Sequence, residues 1–249
     1  YSLTIPLNWP SGVYLVRLVA TNDRLDTGYI VFVVRDDDQV ADFVYQVAVN
    51  TYQAYNNWGG KSLYDFNSVG PAATKVSFDR PYSQWQGAGR FFDWDYPMIR
   101  WLEREGYNVT YITDVDAHED RNYQRGRRAL LSVGHSEYWT WEMRAAWEAA
   151  RDARLSLAFF GGNAIYWQVR LEPSASGVPN RVLVCYRDPR RDPLFGIDNE
   201  RVTARWRDEV VGRPENALLG VLFDNVVPWE EDFPYVVKAA DHWIFEGTD

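Results

Sequence analysis

Short apolar runs alternate with helix-like segments along most of this chain, and this alternation restricts its fold more than any other feature. The clearest runs are residues 43–49, 129–133 and 155–158. Helices are predicted to begin near Asp93, where an acidic first turn is followed by a proline, and at Thr140. Strands that alternate with helices form a parallel sheet with right-handed crossovers. We therefore expect an α/β fold, with a three-layer α/β/α domain built on a parallel sheet.

Polar or glycine-rich clusters follow each of the three apolar runs. They occupy residues 50–60, 134–139 and 159–163. His135 and Glu137 alternate as strand residues do, so both side chains can face one site. The carboxyl edge of a parallel sheet is where ligands bind in open α/β folds, so we expect a functional site here. The structural alternative is a hydrogen-bonded histidine, a glutamate near a helix N-terminus and ordinary turn residues.

The chain is predicted to divide into two parts near Asp37. Two strand-like stretches, residues 12–20 and 29–34, precede this point. Two strands do not make a stable domain alone. We therefore assign residues 1–36 to the closing strands of a β-sandwich domain and residues 40–249 to the α/β/α domain.

Charge and cysteine content exclude several classes of function. The net charge of -9 and the pI of about 4.9 argue against nucleic acid or an anionic membrane as a partner. The single cysteine, Cys185, excludes an internal disulfide and the usual thiolate zinc clusters. It suits a reducing cytoplasm, and no apolar run approaches the length of a membrane span.

Several separate blocks of the sequence closely resemble the large (β) subunit family of N,N-dimethylformamidase. They occur in matching order at residues 50–60, 76–81, 100–107, 133–139 and 159–167. The resemblance implies an amidohydrolase that cleaves the C–N bond of a small amide, as in the conversion of N,N-dimethylformamide to formate and dimethylamine. It also implies a glutamine-amidotransferase-like, flavodoxin-like sheet and further sequence on both sides of this chain. The implied partners are a small helical subunit and a second large subunit.

The resemblance further implies a mononuclear iron site, with Fe3+ held by two tyrosinates and one glutamate. Carried over to this sequence, the ligands are Tyr14, Tyr55 and Glu137, with Tyr52 as a rival to Tyr55. His135 and Asn163 then lie beside the metal as catalytic groups. Phenolate and carboxylate are hard anionic donors suited to a hard cation. Three protein ligands leave positions open for water and for the substrate carbonyl.

Other functions remain open at the level of sequence. A metal-free serine hydrolase would use Ser136, although Tyr138 replaces the second glycine of a nucleophile elbow. A thiol amidotransferase needs a cysteine at a sharp turn, whereas Cys185 lies in a strand pattern. The 16% aromatic content also suits a non-catalytic carbohydrate-binding or structural module. Metal content separates these functions from an iron amidohydrolase.

Overall fold

The structure, a computed structural model, describes residues 2–21, 27–120, 122–227, 233–234 and 236–247. The strands are β1 (Gly12–Val19), β2 (Thr27–Val34), β3 (Phe43–Val47), β4 (Lys75–Ser77), β5 (Val109–Thr113), β6 (Ala129–Val133), β7 (Tyr138–Thr140), β8 (Ser156–Phe160), β9 (Trp167–Glu172) and β10 (Val182–Val184). The α-helices are α1 (Val49–Tyr55), α2 (Tyr96–Arg104), α3 (Asp114–Glu119), α4 (Trp141–Asp152) and α5 (Asn216–Leu219). In the described part of the chain, no helix is long and apolar enough to cross a membrane.

A four-stranded parallel sheet lies at the centre of the molecule, in the order β5-β3-β6-β8. Tyr45 of β3 lies opposite Tyr111 of β5 on one side and Leu131 of β6 on the other. The central strand β6 is buried along its whole length. Strands covered on both faces read as continuous apolar runs, which is why the sequence pattern identified them. The expected α/β class and parallel sheet are confirmed.

Different helices cover the two faces of this sheet. Helices α3 and α4 pack on the face that carries Val44 and Leu130, where Trp147 of α4 is fully buried. Helix α2 packs on the face that carries Tyr45 and Leu131. Neighbouring residues of a strand point to opposite faces, so one strand supplies both cores.

The N-terminal strands β1 and β2 form an antiparallel hairpin that packs on the α2 side of the sheet. They pair from Gly12 opposite Val34 to Val19 opposite Thr27. One face of the hairpin contacts the sheet's core through apolar side chains at positions 13, 15, 31 and 33. The assignment of residues 1–36 to a β-sandwich stays a prediction.

The two predicted helices differ in how closely their predicted starts agree with the structure. Helix α4 begins directly after Thr140, whose side chain accepts a hydrogen bond from the backbone of Met143. The helix predicted near Asp93 begins later, at Tyr96, because residues Phe91–Asp95 form a π-helical turn. Such turns are frequent at functional sites.

A second, smaller sheet has the order β4-β10-β9-β7. Strands β4, β10 and β9 pair antiparallel, whereas β7 and β9 pair parallel. Strand β7 follows directly after Glu137, so this sheet supports the segment that leaves the central sheet at β6.

The order of the central strands places a crevice between β3 and β6. From β3 the chain moves outward to β5, then returns past β3 to β6 and continues to β8. Connections therefore leave in opposite directions at the boundary between β3 and β6. Ligands bind outside the carboxyl ends of strands at such a switch point. The segments with Tyr55, His135 and Glu137 emerge at this edge.

Candidate functional site

One carboxylate oxygen, Oε2 of Glu137, is the meeting point of the candidate site. The hydroxyl of Tyr64 donates to it at 2.7 Å and the hydroxyl of Tyr55 at 3.0 Å. The Nε2 atom of His135 lies 3.0 Å from the same oxygen and 3.1 Å from the Tyr55 hydroxyl. Two phenols, an imidazole and a carboxylate thus converge from three segments of the chain.

The backbone around Glu137 is held on both sides, which fixes the direction of its side chain. Its N–H donates to Oγ1 of Thr51 in α1 at 3.0 Å. Its carbonyl accepts hydrogen bonds from the N–H groups of Tyr166 and Trp167. Glu137 is only 3% exposed, so its carboxylate reaches solvent hardly at all. A buried carboxylate requires partners, and the phenols and the imidazole supply them.

Two glycines allow the strand ends to come close enough to form the site. Gly134, directly before His135, has φ of 71°, and a Cβ there would lie 2.6 Å from Cβ of Trp94. A Cβ on Gly161 would lie 1.7 Å from the carbonyl oxygen of Gly134. Both contacts are too short for any side chain, so the backbones after β6 and β8 approach as only glycine permits.

Tyr55 and Tyr64 form a pair of nearly stacked rings. Their centroids are 4.3 Å apart, with an angle of 32° between the planes. Tyr55 is the last residue of α1, and its carbonyl accepts hydrogen bonds from the side chains of Asn67 and Gln84. Tyr64 lies in the irregular segment after α1. The segment therefore folds back on the helix end and brings the second phenol to the first.

Arg80 clamps the segment that links these two tyrosines. Its guanidinium donates to the carbonyls of Asn56, Trp58 and Lys61 at 3.2, 3.0 and 2.7 Å. Burial lowers the pKa of Arg80, because removal from water disfavours its charged form. Cations also interact favourably with the carbonyl end of a helix, here the end of α1 that carries Tyr55.

Tyr14 does not join this cluster. Its hydroxyl donates to the carbonyl of Pro10 at 2.9 Å. The neighbouring Val13 and Leu15 pack on the core, and because side chains alternate along a strand, Tyr14 points to the opposite face of the hairpin. The structure therefore does not bring Tyr14 to Glu137, and the role of Tyr14 as a ligand stays a prediction.

The side chain of Tyr52, the rival to Tyr55, also does not contact Glu137. Its hydroxyl donates to Asp95, which accepts a second hydrogen bond from Tyr45 at 2.8 Å. Tyr55, one helical turn later, is the α1 tyrosine that contacts Glu137. Tyr64, which takes the second phenol position, was not a candidate from the sequence.

Asn163 lies next to the cluster without direct contact with Glu137. The carbonyl of the preceding Gly162 is 3.1 Å from Nδ1 of His135. Asn163 has φ of 52° and Ile165 φ of 54°, and the Oδ1 atom of Asn163 is buried without a hydrogen-bond partner among the described residues. Positive φ in non-glycine residues stores strain and is concentrated at functional sites. Asn163 lines a cavity of about 400 Å³, together with Leu157, Phe159, Ala164, Leu219 and Phe223.

Burial and the Glu137 charge set the ionisation of the site. Burial raises the pKa of Tyr55, and the nearby carboxylate of Glu137 raises it further. Burial also raises the pKa of Tyr64. Burial is the largest single effect on His135 and lowers its pKa, but the hydrogen bond with Glu137, the Glu137 charge and the hydrogen bond with the Gly162 carbonyl together outweigh it, so the pKa of His135 is raised. In the metal-free protein both phenols are therefore neutral donors to Glu137.

The donor set suits a hard cation such as ferric iron. In the described ranges no three His, Cys, Asp or Glu side chains come together as a metal site. A metal bound at this cluster would use phenol oxygens beside Glu137. Tyr55, Tyr64 and Glu137 offer three hard oxygen donors around one point. A cation there would replace the phenol protons. It would also compensate the charge of the buried Glu137 carboxylate. Among the described residues, that carboxylate has an ion pair only with His135.

The nucleophiles of the rival functions are poorly placed. Ser136 is buried, and its Oγ accepts a hydrogen bond from Nε1 of Trp139 at 2.8 Å. Cys185 is also buried, and burial raises the pKa of its thiol to about 12, which suppresses the reactive thiolate. Neither residue has the exposed, activated geometry that nucleophilic catalysis requires.

Comparison with known proteins assigns the chain to a family. The family described as N,N-dimethylformamidase beta subunit-like, C-terminal matches residues 1–249. The N,N-dimethylformamidase beta subunit of Paracoccus aminophilus is 28% identical over 124 residues, which are 46% of this chain and 16% of that protein. The N,N-dimethylformamidase beta subunit of an Alcaligenes species is 27% identical with the same coverage. The matched segment is thus a small part of the relatives' length.

Proposed function

The chain belongs to the N,N-dimethylformamidase beta subunit-like, C-terminal family, and we propose that it forms the iron site of an amide hydrolase. The reaction is hydrolysis of the C–N bond of a small amide, such as N,N-dimethylformamide to formate and dimethylamine. The observation that carries this proposal is the convergence of two phenols and an imidazole on Oε2 of Glu137.

Tyr55 and Glu137 are the iron ligands on which resemblance and geometry agree. For the second phenolate the two arguments name different residues. The resemblance implies Tyr14, whereas Tyr64 is the phenol that lies 2.7 Å from Glu137. Paired variants separate them: Tyr14→Phe and Tyr64→Phe each remove one hydroxyl and keep the ring. Loss of iron from one variant and not from the other identifies the ligand.

Ferric iron, when bound, supplies a Lewis acid and a source of activated water. His135 is the residue placed to move a proton. If its Nδ1–H donates to the carbonyl of Gly162, Nε2 is the nitrogen that would exchange protons. In the metal-free protein Nε2 bonds Glu137 and Tyr55, so it would accept a proton from water, and later return it to the leaving amine, only when a cation takes up those two oxygens. Asn163 offers an amide with an unpaired oxygen, suited to orient the substrate beside that water.

Aromatic side chains around the cluster limit the access of bulk water. Trp94 packs edge-on against His135, with centroids 5.6 Å apart, and against Tyr55 at 6.2 Å. Phe66 packs against Tyr64 at 5.2 Å. Exclusion of water strengthens electrostatic interactions at the reacting atoms.

The strand order supports a finer assignment of the fold. In chain order the four parallel strands are arranged 2-1-3-4, which are the first four positions of a flavodoxin-like sheet. We therefore retain the glutamine-amidotransferase-like, three-layer arrangement as part of the proposal. The relatives are named as beta subunits, which supports action together with a small helical subunit and a second large subunit. A cytoplasmic location completes the proposal.

The proposal is tested with Glu137→Gln and a matched control, Glu105→Gln, at the exposed residue that follows the end of α2. Iron content and amide hydrolysis are measured on both variants. Glu137→Gln is expected to lose iron and turnover together, because a neutral amide replaces the shared anionic ligand. Glu105→Gln is expected to keep both. Turnover that persists in Glu137→Gln without iron would refute the proposal.

A further inference from the structure

The two phenol rings of the site lie between two arginine side chains. The guanidinium carbon of Arg187 lies 4.3 Å from the ring centroid of Tyr64, and that of Arg90 lies 5.9 Å from the ring centroid of Tyr55. The rings themselves are 4.3 Å apart. The order across the site is therefore guanidinium, phenol, phenol, guanidinium. We call this arrangement the four-layer stack.

Arg187 is held in the stack without a carboxylate. Its Nη2 donates to the hydroxyl of Tyr138 at 2.8 Å, and its guanidinium also lies 5.3 Å from the ring centroid of Trp167. No ion pair joins Arg187 to an acidic side chain in the parts of the chain that the structure describes, and the adjacent Asp188 pairs with Arg190. Nε of Arg187 is buried without a hydrogen-bond partner among those residues.

The backbone of Arg187 also takes an unfavourable conformation. Its φ is 65°, in the left-handed region that non-glycine residues rarely occupy. A half-buried guanidinium without an anion and on a strained backbone persists only if the surrounding structure requires it. The contacts that remain to explain it are those with Tyr64, Tyr138, Trp167 and the thiol of Cys185.

We propose that Arg187 is a positioning residue that holds the Tyr64 ring so that its hydroxyl meets Oε2 of Glu137. Tyr64 lies outside any helix or strand, so regular backbone hydrogen bonds do not fix its ring. A planar guanidinium can cover one ring face and donate to Tyr138 at the same time, which a lysine ammonium cannot do. This proposal rests on the proposed function in one respect: the proposed function says that the positioned oxygen atoms bind iron.

The primary test compares the metal-free crystal structures of Arg187→Gln and Arg190→Gln. Arg190 is the matched control, since it is exposed and, among the described residues, its side chain bonds its neighbour Asp188 alone. In Arg187→Gln we expect the Tyr64 hydroxyl to move out of hydrogen-bond distance of Glu137, whereas the control keeps the 2.7 Å contact. A Tyr64 that stays in place in Arg187→Gln would overturn the proposal.

A second readout is the dissociation constant for ferric iron, measured on the intact protein. Loss of a group that orients a metal ligand typically weakens metal binding by about 10- to 100-fold, so we expect a loss of this size in Arg187→Gln. Arg187→Lys is expected not to restore binding, because the ammonium keeps the charge without the planar stack. Full restoration by lysine would overturn a positioning role and leave charge alone as the cause.

Tyr138→Phe keeps the test decisive if Arg187→Gln does not fold. This variant removes the hydroxyl that accepts from Nη2 of Arg187 and that also interacts with the Tyr64 side chain. Movement of both Arg187 and Tyr64 in its metal-free structure supports the proposal, whereas an unmoved Tyr64, or a Tyr64 that moves while Arg187 stays in place, overturns it. Absence of iron binding by the unaltered protein would refute the proposed function, whereas the metal-free structures would still decide the role of Arg187.

Discussion

Asp95 provides a test of how the site is anchored to the core. Its carboxylate is fully buried beneath α1 and accepts hydrogen bonds from Tyr45 and Tyr52. Burial raises the pKa of Asp95 to about 7, although both phenol donors lower it. The residue before it, Trp94, packs against Tyr55 of the site. Asp95→Asn removes the ionisation and keeps the size of the side chain.

The sign and size of the effect follow from the pKa of Asp95. The pKa rises from 3.8 to about 7, so the native state holds the proton more tightly than the unfolded state. The resulting stability is fully present below pH ~4 and is lost as pH rises towards 7. At about 1.4 kcal/mol per pKa unit, raising the pH from 5 to 8 removes roughly 2–3 kcal/mol. Burial raises the pKa of Asp114 to about 8, which acts in the same direction in both proteins, although the smaller part of this rise that comes from the Asp95 charge is absent from Asp95→Asn.

The assay is urea unfolding at pH 5 and pH 8, followed by tryptophan fluorescence. The unaltered protein should lose more stability than Asp95→Asn between these pH values, by roughly 2–3 kcal/mol. Asp93→Asn, in the same π-helical turn but half-exposed, is the control and should behave as the unaltered protein does. Equal losses in Asp95→Asn and the unaltered protein would show that Asp95 is ionised at little cost, which refutes the reasoning.

Three further variants test the site. Tyr55→Phe should weaken iron binding, since it removes an anionic oxygen and keeps the ring; unchanged affinity would remove Tyr55 from the ligand set. His135→Ala should keep iron and slow hydrolysis by about 100-fold or more, as for a lost acid-base group; loss of iron would make His135 a ligand instead. Gly161→Ala should destabilise the fold by about 1–3 kcal/mol, because its Cβ would overlap the Gly134 carbonyl. Gly162→Ala, where a Cβ meets nothing within 4 Å, is its control, and equal unfolding midpoints would refute the packing argument.

The sequence was sufficient to predict the elements whose pattern is local. The central strands are buried on both faces and so read as apolar runs, and Thr140 marks the start of α4 as a capping residue should. The positions of Tyr55 and Glu137 at one sheet edge also follow from strands that end together. Secondary structure alone brings their segments to this edge, whereas the family resemblance selected Tyr55 within its segment.

The parts that were not predicted depend on contacts between distant segments. Tyr64 lies in an irregular segment, and in a chain with 16 tyrosines nothing local separates it from a packing residue. A tyrosine close after Tyr55 in the same polar segment was the available signal. Tyr14 faces away from the cluster because alternation along β1 gives the core-facing side to its neighbours. Strand pattern alone does not tell which face of a hairpin meets a site.

The most direct test of the account is iron content measured together with hydrolysis of N,N-dimethylformamide, before and after removal of the metal. We expect about one iron per chain, with a visible phenolate-to-iron absorption, and hydrolysis that disappears on iron removal and returns when ferric iron is added back. Full hydrolysis by protein freed of iron would contradict the central claim that Tyr55 and Glu137 hold a catalytic metal.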